Sequence, residues 1–305
     1  MTVASRLLLV VSLAFTTASA AADVTTPLQP ASFDDLARQY RSAPVDVDAF
    51  RVRGPFAVTT QPNVPLRLNL SQQLTGDLYL AGAPDKAPLV ILVHGYGNTR
   101  AHHAAQAQHL ASWGVHSLAL QVPNKGPWVA NGRMLARLTD ALRRRPERLD
   151  GRVDASRIVL AGHSFGAASV TVALADRAPA IGAVLLDPAY MDRAVPGYMR
   201  RVAKPVLIIG GDEENGVARN RDAFRATIPT AYGEVSVRDA VHEDAEYPLD
   251  PALAAEGQTV EHQMTFAAAL TVAAVSLATT GQFEAAWHSL NAGEKNSRFF
   301  SPRKN

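Results

Sequence analysis

Residues 162–166, Gly-His-Ser-Phe-Gly, place a serine between two glycines where an apolar strand pattern gives way to a helix pattern. The run 158–161 predicts a short buried strand, and Ala167–Ala175 predicts a compact helix. Flanking glycines let the two elements approach closely, and N–H groups at the helix N-terminus can stabilise an anion. This is the pattern of a nucleophile elbow, with Ser164 as the nucleophile. An ordinary turn with a capping serine has the same pattern, so the rest of the chain must decide.

A serine hydroxyl attacks a carbonyl carbon only when a base removes its proton, and in this arrangement the histidine follows the serine in the chain. His242 lies in "VSVRDAVHEDAEYP", directly after the last predicted strand. His262 and His288 also follow Ser164, but they lie in or beyond the terminal helix, where we expect solvated surface histidines. The sequence therefore favours His242 as the base.

The acid that orients this histidine has candidates at the ends of two strands. Asp187 ends "GAVLLD", where a lone carboxylate after an apolar run calls for a partner. Asp212 and Glu214 follow the next strand, "PVLIIGG", in an acidic cluster that is also typical of a solvated loop. A carboxylate at either strand end could hold the imidazole in the tautomer that accepts the serine proton. We favour Asp187 and retain Glu214 and Asp212 as alternatives.

A second glycine-rich turn, His94-Gly95-Tyr96-Gly97, follows the apolar strand "PLVILV". An oxyanion hole requires two N–H donors, and the natural pair here is the backbone N–H of Tyr96 with that of Phe165. We expect the His94 ring to fix this loop rather than to take part in chemistry. A simple tight turn is the alternative interpretation.

Strand and helix patterns alternate from Gly54 onward and predict a doubly wound, mostly parallel α/β sheet with an antiparallel edge. Ligands of such sheets bind at the carboxyl ends of the strands, where Ser164, Asp187 and His242 all fall. Predicted strands are Phe56–Thr59, Asp77–Leu80, Leu89–Val93, Val115–Leu120, Arg157–Ala161, Ala183–Leu186, Pro205–Ile209 and Glu234–Arg238. Predicted helices are Ala101–Trp113, Asn131–Arg144, the stretch after Ser164, Arg219–Ala226 and Val260–Leu277, with a possible short one near Phe33–Tyr40.

The composition of the 305-residue chain excludes several classes of function. A net charge of +2 provides no electrostatic basis for binding nucleic acid or an anionic membrane, although the pI is 9.0. The absence of cysteine excludes disulfides, a thiol nucleophile and thiolate metal sites. His102, His103 and His109 lie on one predicted helix without suitably spaced carboxylates, so we expect surface histidines and no metal site.

Residues 1–20 combine Arg6, the apolar run Leu7–Phe15 and the small residues Ala18-Ser19-Ala20, which is typical of a secretory signal peptide. We expect cleavage after Ala20, with Ala22 as the second choice, and no integral membrane segment afterwards. Residues 21–53 then form an N-terminal lead-in that packs on the domain or stays partly mobile, and 54–305 form the catalytic domain. This organisation predicts a secreted or periplasmic protein.

Together, HGYG, GHSFG, "LLDPAY" and the late His242 resemble the α/β-hydrolase superfamily of serine esterases. The order "GHSFG…LLD…VH" is similar to platelet-activating-factor acetylhydrolases, whose acid follows the strand after the elbow and so matches Asp187. The stretches "GPF", "LASWGV" and "LDGRVDASRIVLAGHS" are similar to bacterial cutinase-like and dienelactone-hydrolase-like enzymes. That second resemblance implies an acid near Asp212 to Glu214.

The expected function is hydrolysis of carboxylic esters by an esterase, lipase or cutinase-like enzyme that uses Ser164, His242 and Asp187 and forms an acyl-enzyme without a cofactor. Its substrate would be a small-molecule, lipid or polyester ester. Between Asp187 and Pro205 the chain has no room for a large lid, which predicts an open cleft. A serine peptidase of the same fold and a non-catalytic binding protein of that fold are the alternatives.

Overall fold

A nine-stranded sheet forms the centre of the part of the chain that the computed structural model describes, which is residues 29–42, 44–69, 72–83, 86–123, 125–212, 218–294 and 299–304. The strands are β1 (Val58–Arg67), β2 (Gln73–Ala81), β3 (Ala87–Val93), β4 (His116–Gln121), β5 (Val153–His163), β6 (Gly182–Leu186), β7 (Val206–Gly211), β8 (Ala231–Val237) and β9 (Phe299–Lys304). The predicted signal peptide, residues 1–20, lies outside the described residues.

The strand order is β1-β2-β4-β3-β5-β6-β7-β8-β9. Strands β3 to β8 pair in parallel, whereas β1, β2 and β9 run antiparallel to their neighbours. The prediction of a mostly parallel sheet with an antiparallel edge is therefore confirmed, and antiparallel pairing occurs at both edges.

Helices cover both faces of the sheet because its central strands are apolar on both sides. In β3, Val90 and Leu92 face one hydrophobic cluster, while Leu89, Ile91 and Val93 face the other. The first cluster packs under α1 (Phe33–Ser42), α2 (Ala104–Ser112), α7 (Val260–Thr280) and α8 (Glu284–Glu294). The second packs under α3 (Trp128–Arg144), α4 (Phe165–Ala175), α5 (Val195–Met199) and α6 (Ala218–Thr227).

Helix α7 is apolar on all sides and lies in the first cluster. Its length and composition would suffice to cross a membrane, and 83% of its apolar window is buried inside the fold. Burial of this kind is what a core helix shows, since a helix that is hydrophobic all round needs apolar neighbours on every side.

The sequence patterns located most elements but not all of them. Each of the eight predicted strands overlaps an observed strand, and the helix predicted near Phe33 is α1. Strand β9, "FFSPRK", was not predicted, because it has no sustained alternation and contains a proline. Helices α5 and α8 were also not predicted. The connection from β6 to β7 carries only the five-residue α5.

The N-terminal lead-in packs against the core in its described part. Phe33, Leu36 and Phe50 are fully buried, and the ring of Phe50 lies 4.4 Å from that of Trp113 between centroids. These residues share the first hydrophobic cluster with α7, so this segment contributes to the same core as the sheet.

Candidate active site

Ser164 lies in the turn between β5 and α4 with a backbone that L-residues rarely adopt, φ 54° and ψ −125°. The Ser164 N–H donates to the carbonyl of Leu186 at 3.1 Å, and its own carbonyl accepts from the N–H groups of Ala167 and Ala189 at 3.0 and 3.1 Å. These bonds tie the turn to β6 and hold the strained conformation in place.

The two glycines of the elbow are required by close backbone contacts. A Cβ on Gly162 would lie 2.6 Å from the carbonyl oxygen of Gly166, and a Cβ on Gly166 would lie 2.3 Å from that of Val93. Both distances are shorter than any real Cβ contact. The glycines therefore let α4 start directly on top of β3 and β5, as the sequence pattern predicts.

Asp187 and His242, which the sequence singles out as acid and base, are in direct contact. His242 Nδ1–H donates to Asp187 Oδ2 at 2.6 Å. Asp187 follows β6 and is almost completely buried, and His242 opens a short 3-10 helix, His242–Ala245, after β8. This hydrogen bond leaves His242 Nε2 as the nitrogen that can accept a proton.

The second carboxylate oxygen of Asp187 accepts from Arg221 Nη1 at 2.5 Å. Burial by itself raises the pKa of Asp187, but the hydrogen bond from His242 and the positive charge of Arg221 outweigh burial and lower that pKa below its usual value. Asp187 is therefore held as a carboxylate at neutral pH.

The alternative acids lie elsewhere. Asp212 follows β7, its N–H donates to Val237 O at 3.1 Å, and burial followed by the charge of Asp239 raises its pKa. Glu214 lies outside the described residues. Of the described candidates, Asp187 is the one that the fold brings to His242.

The turn 94–97 lies against Ser164, since a Cβ on Gly95 would come within 3.0 Å of the Ser164 Cβ. His94 is fully buried and connects its loop to the segment after β4: Nδ1–H donates to Gly95 O at 3.0 Å, and Nε2 accepts from the Val122 N–H at 3.2 Å. The structural role that we expected for His94 agrees with these contacts.

Aromatic rings line up beside the elbow. The ring of Tyr96 is exposed and meets that of Phe165 edge-on at 6.2 Å, and the half-buried Trp128 stacks on Phe165 at 5.4 Å. The two residues predicted to provide oxyanion N–H groups, Tyr96 and Phe165, are thus neighbours.

A cavity of about 350 Å³ opens beside Ser164 and His242. Its remaining wall is mostly polar and is formed by Gly95, Tyr96, Asn98, His102, His163, Glu243, Glu246, Leu253, Ala255 and Gln258. A substrate group in this cavity would have one side against the Ser164 hydroxyl.

A buried ionic network behind His242 was missed by the sequence reasoning. His163 Nδ1–H donates to Glu246 Oε1 at 3.0 Å and its Nε2–H donates to the His242 carbonyl at 3.1 Å, so both ring nitrogens carry protons. Burial opposes this charge, yet the neighbouring Glu246 raises the pKa of His163 and is itself held at a lowered pKa. The rings of His163 and His242 lie 4.5 Å apart. The acidic "HEDAE" after the last strand was the available signal.

Three expectations about histidines were wrong. His103 and His109 are buried rather than on the surface: His103, just before α2, lies against His163 with ring centroids 6.4 Å apart, and His109 lies in the last turn of α2 near the Phe50 backbone. Burial lowers the pKa of each to about 4. His262 is half-buried, and its Nδ1 lies 3.0 Å from Asp244 Oδ2. His288 is exposed, as expected. Among the described residues no group of three metal-ligating side chains occurs.

A strained serine on a strand-to-helix turn, lining one cavity with the histidine of an Asp–His pair at the carboxyl ends of a parallel sheet, defines the α/β-hydrolase class of site. A family model described as "Alpha/beta hydrolase family" matches residues 90–292, which is more than half of the chain, and the chain belongs to that family. Within it, the chain is similar to the cutinase of Thermobifida fusca (strain YX), with 28% identity over 222 residues that cover 70% of this chain and 71% of that protein. It is also similar to cutinase 1 of Thermobifida cellulosilytica, with 27% identity over 203 residues, 64% and 75% of the two chains.

Proposed function

We propose that this protein is a serine hydrolase of carboxylic esters, with Ser164 as nucleophile, His242 as base and Asp187 as the acid that orients the base. The observation that carries the proposal is the 2.6 Å contact between Asp187 Oδ2 and His242 Nδ1 at a cavity that Ser164 also lines. Membership of the α/β-hydrolase family and the similarity to cutinases support the same chemistry.

In the first half of the reaction, Ser164 Oγ attacks the ester carbonyl carbon while His242 Nε2 takes the hydroxyl proton. Asp187 stabilises the imidazolium that forms, and the N–H groups of Tyr96 and Phe165 donate to the oxyanion of the tetrahedral intermediate. The intermediate collapses when His242 passes its proton to the leaving alcohol, which leaves the acyl group on Ser164.

In the second half, His242 takes a proton from water, and the hydroxide attacks the acyl carbon through a second oxyanion. Ser164 recovers its proton from His242 as the carboxylic acid leaves. Each proton that His242 accepts is returned, so the cycle needs no further proton donor or acceptor.

The substrate that we propose is a small-molecule, lipid or polyester ester. Only the short α5 lies between β6 and β7, so that connection contains no large lid, and we propose that the cleft admits an extended chain. The name of the relatives, cutinase, indicates cutin as their substrate. We also propose that the protein is exported, because residues 1–20 have the charge, apolar run and small residues of a signal peptide.

The test is hydrolysis of p-nitrophenyl esters of increasing acyl length by the wild type, by Ser164→Ala and by the control Ser156→Ala. Ser156 lies exposed at the opposite end of β5, so its loss removes a serine hydroxyl without touching the site. We expect Ser164→Ala to lose at least about 10³-fold in kcat while Ser156→Ala stays at wild type. A folded wild type that turns over no ester contradicts the proposal and favours a binding protein, and turnover of peptides alone favours a peptidase.

A further inference from the structure

Arg221 on α6 is a buried cation that contacts two buried carboxylates. Its Nη1 lies 2.5 Å from Asp187 Oδ1, and its Nε lies 3.2 Å from Glu234 Oε1. The side chains of Asp187, Arg221 and Glu234 are all less than one-tenth exposed. Burying these charges costs desolvation free energy, which their attraction offsets only if the groups are held in close and well-oriented contact. The arrangement therefore fixes Asp187 Oδ1 relative to Arg221.

The sheet leaves a specific space for this side chain. A Cβ on Gly210, near the end of β7, would lie 2.5 Å from both Cδ and Nη1 of Arg221 and 2.8 Å from its Cζ. The glycine therefore provides the path along which the guanidinium crosses β7 to reach Asp187 after β6. Glu234, on the neighbouring strand β8, lies beside the other edge of the guanidinium as an ion pair, although Arg221 Nε makes no hydrogen bond within the described part of the chain.

We propose that Arg221 is a positioning residue of the active site: its guanidinium, seated above Gly210 and beside Glu234, holds Asp187 Oδ1 so that Oδ2 faces His242, and its charge disfavours a second positive charge on His242. This inference rests on the proposed function.

The direction of the charge effect follows from the protonation states. Arg221 stabilises the Asp187 carboxylate and disfavours a second positive charge on His242, so we expect removal of its charge to let the Asp187–His242 pair take up a proton at a higher pH than in the wild type. Its charge already contributes to the lowered pKa of Asp187. The other charged groups near Arg221, Glu234 and the Asp187–His242 pair are Arg225 and Asp222 on α6, Arg303 on β9, and Glu243, Glu246 and His163 around His242.

The experiment measures kcat/KM for a p-nitrophenyl ester between pH 5 and 9 in the wild type and in Arg221→Met, Arg221→Lys and Gly210→Ala. We expect Arg221→Met to move the midpoint of the acid limb up by about one pH unit and to lower the plateau about tenfold. Arg221→Lys restores the midpoint toward the wild-type value because it keeps the charge, with the plateau still reduced. Gly210→Ala displaces the guanidinium without removing it, so its midpoint moves in the same direction as that of Arg221→Met.

The matched control is Arg225→Met, one turn further along α6. Arg225 Nε also approaches Glu234, at 3.4 Å, but Arg225 is more exposed and its charge is screened by water. We expect its midpoint to stay at the wild-type value. The midpoint of the acid limb does not depend on how much of a sample is folded. The midpoint of a poorly folding variant can therefore still be measured from the fraction that is active.

The outcomes separate this inference from the proposed function. If hydrolysis does not depend on Ser164, the proposed function fails whatever Arg221 does. If hydrolysis depends on Ser164 but the midpoints of Arg221→Met and Gly210→Ala equal that of the wild type, the inference fails alone. An equal shift in Arg225→Met also overturns it, since any lost cation would then have the same effect.

Discussion

Replacing Asp187 by asparagine should disable the base without removing it. At the place where Oδ1 of Asp187 lies, Arg221 presents only N–H donors. The single acceptor oxygen of the introduced amide would therefore turn toward Arg221, and its NH2 group would turn toward His242. The amide would then donate to Nδ1, which forces the imidazole proton onto Nε2, the nitrogen that must accept from Ser164. We expect kcat to fall by about 10⁴, which corresponds to ~5 kcal/mol of transition-state stabilisation.

The assay is hydrolysis of p-nitrophenyl butyrate near pH 8, with circular dichroism and thermal unfolding to verify the fold. Asp212→Asn and Glu214→Gln are the controls, because each removes a carboxylate that the sequence also offers as the acid. We expect both controls to remain within a few-fold of the wild type, because Asp187 already occupies the Nδ1 side of His242. Activity of Asp187→Asn within tenfold of the wild type, with either control nearly inactive, would refute this assignment and move the acid to the end of β7.

Two further predictions concern stability. Ser164 has φ 54° and ψ −125°, a conformation that glycine adopts without strain and alanine does not. In urea titrations we therefore expect the free energy of unfolding of Ser164→Gly to be about 1 kcal/mol higher than that of the equally inactive Ser164→Ala. Equal free energies would mean that the turn is not strained. Glu246→Gln leaves the His163 charge buried without its partner, so we expect a loss of about 3 kcal/mol near pH 5. Because folding raises the pKa of His163, the ion pair stabilises the fold fully at pH values below 6.5, the usual pKa of histidine in an unfolded chain. This stabilisation is lost as the pH rises through the pKa that His163 has in the folded protein. The deficit of Glu246→Gln should therefore shrink by pH 9, and an equal deficit at both pH values argues against the ion pair.

The sheet and the elements around the candidate site could be predicted because they depend on local pattern. Apolar runs of five or six residues predict buried strands, and parallel strands bring their carboxyl ends to one edge of the sheet. This is why Ser164, Asp187 and His242, each just after a strand, could be expected near one another. The choice of Asp187 over Asp212 rested on how isolated its carboxylate is, and the contact with His242 agrees with that reasoning.

The charged groups behind the site could not be predicted, because their partners are distant in the chain. His163 and Glu246 are separated by 83 residues, and Arg221 lies 34 residues from Asp187. Their contacts depend on how α6 and the loop after β8 dock on the sheet, which no local periodicity specifies. His103 was expected on the surface because histidine is polar, and the sequence does not show that its ring packs into the core.

The role of Ser164 as nucleophile is tested most directly by reaction with diethyl p-nitrophenyl phosphate, followed by mass spectrometry of the intact protein and its peptides. Attack by Ser164 Oγ on phosphorus expels p-nitrophenolate and leaves a stable diethylphosphoryl ester on the serine. We expect one diethylphosphoryl group per protein, located on the peptide that contains the 162–166 elbow, with loss of esterase activity in proportion to labelling. The His242→Ala variant should react far more slowly. Full labelling at another residue, or ester hydrolysis that persists after Ser164 is labelled, would contradict the assignment.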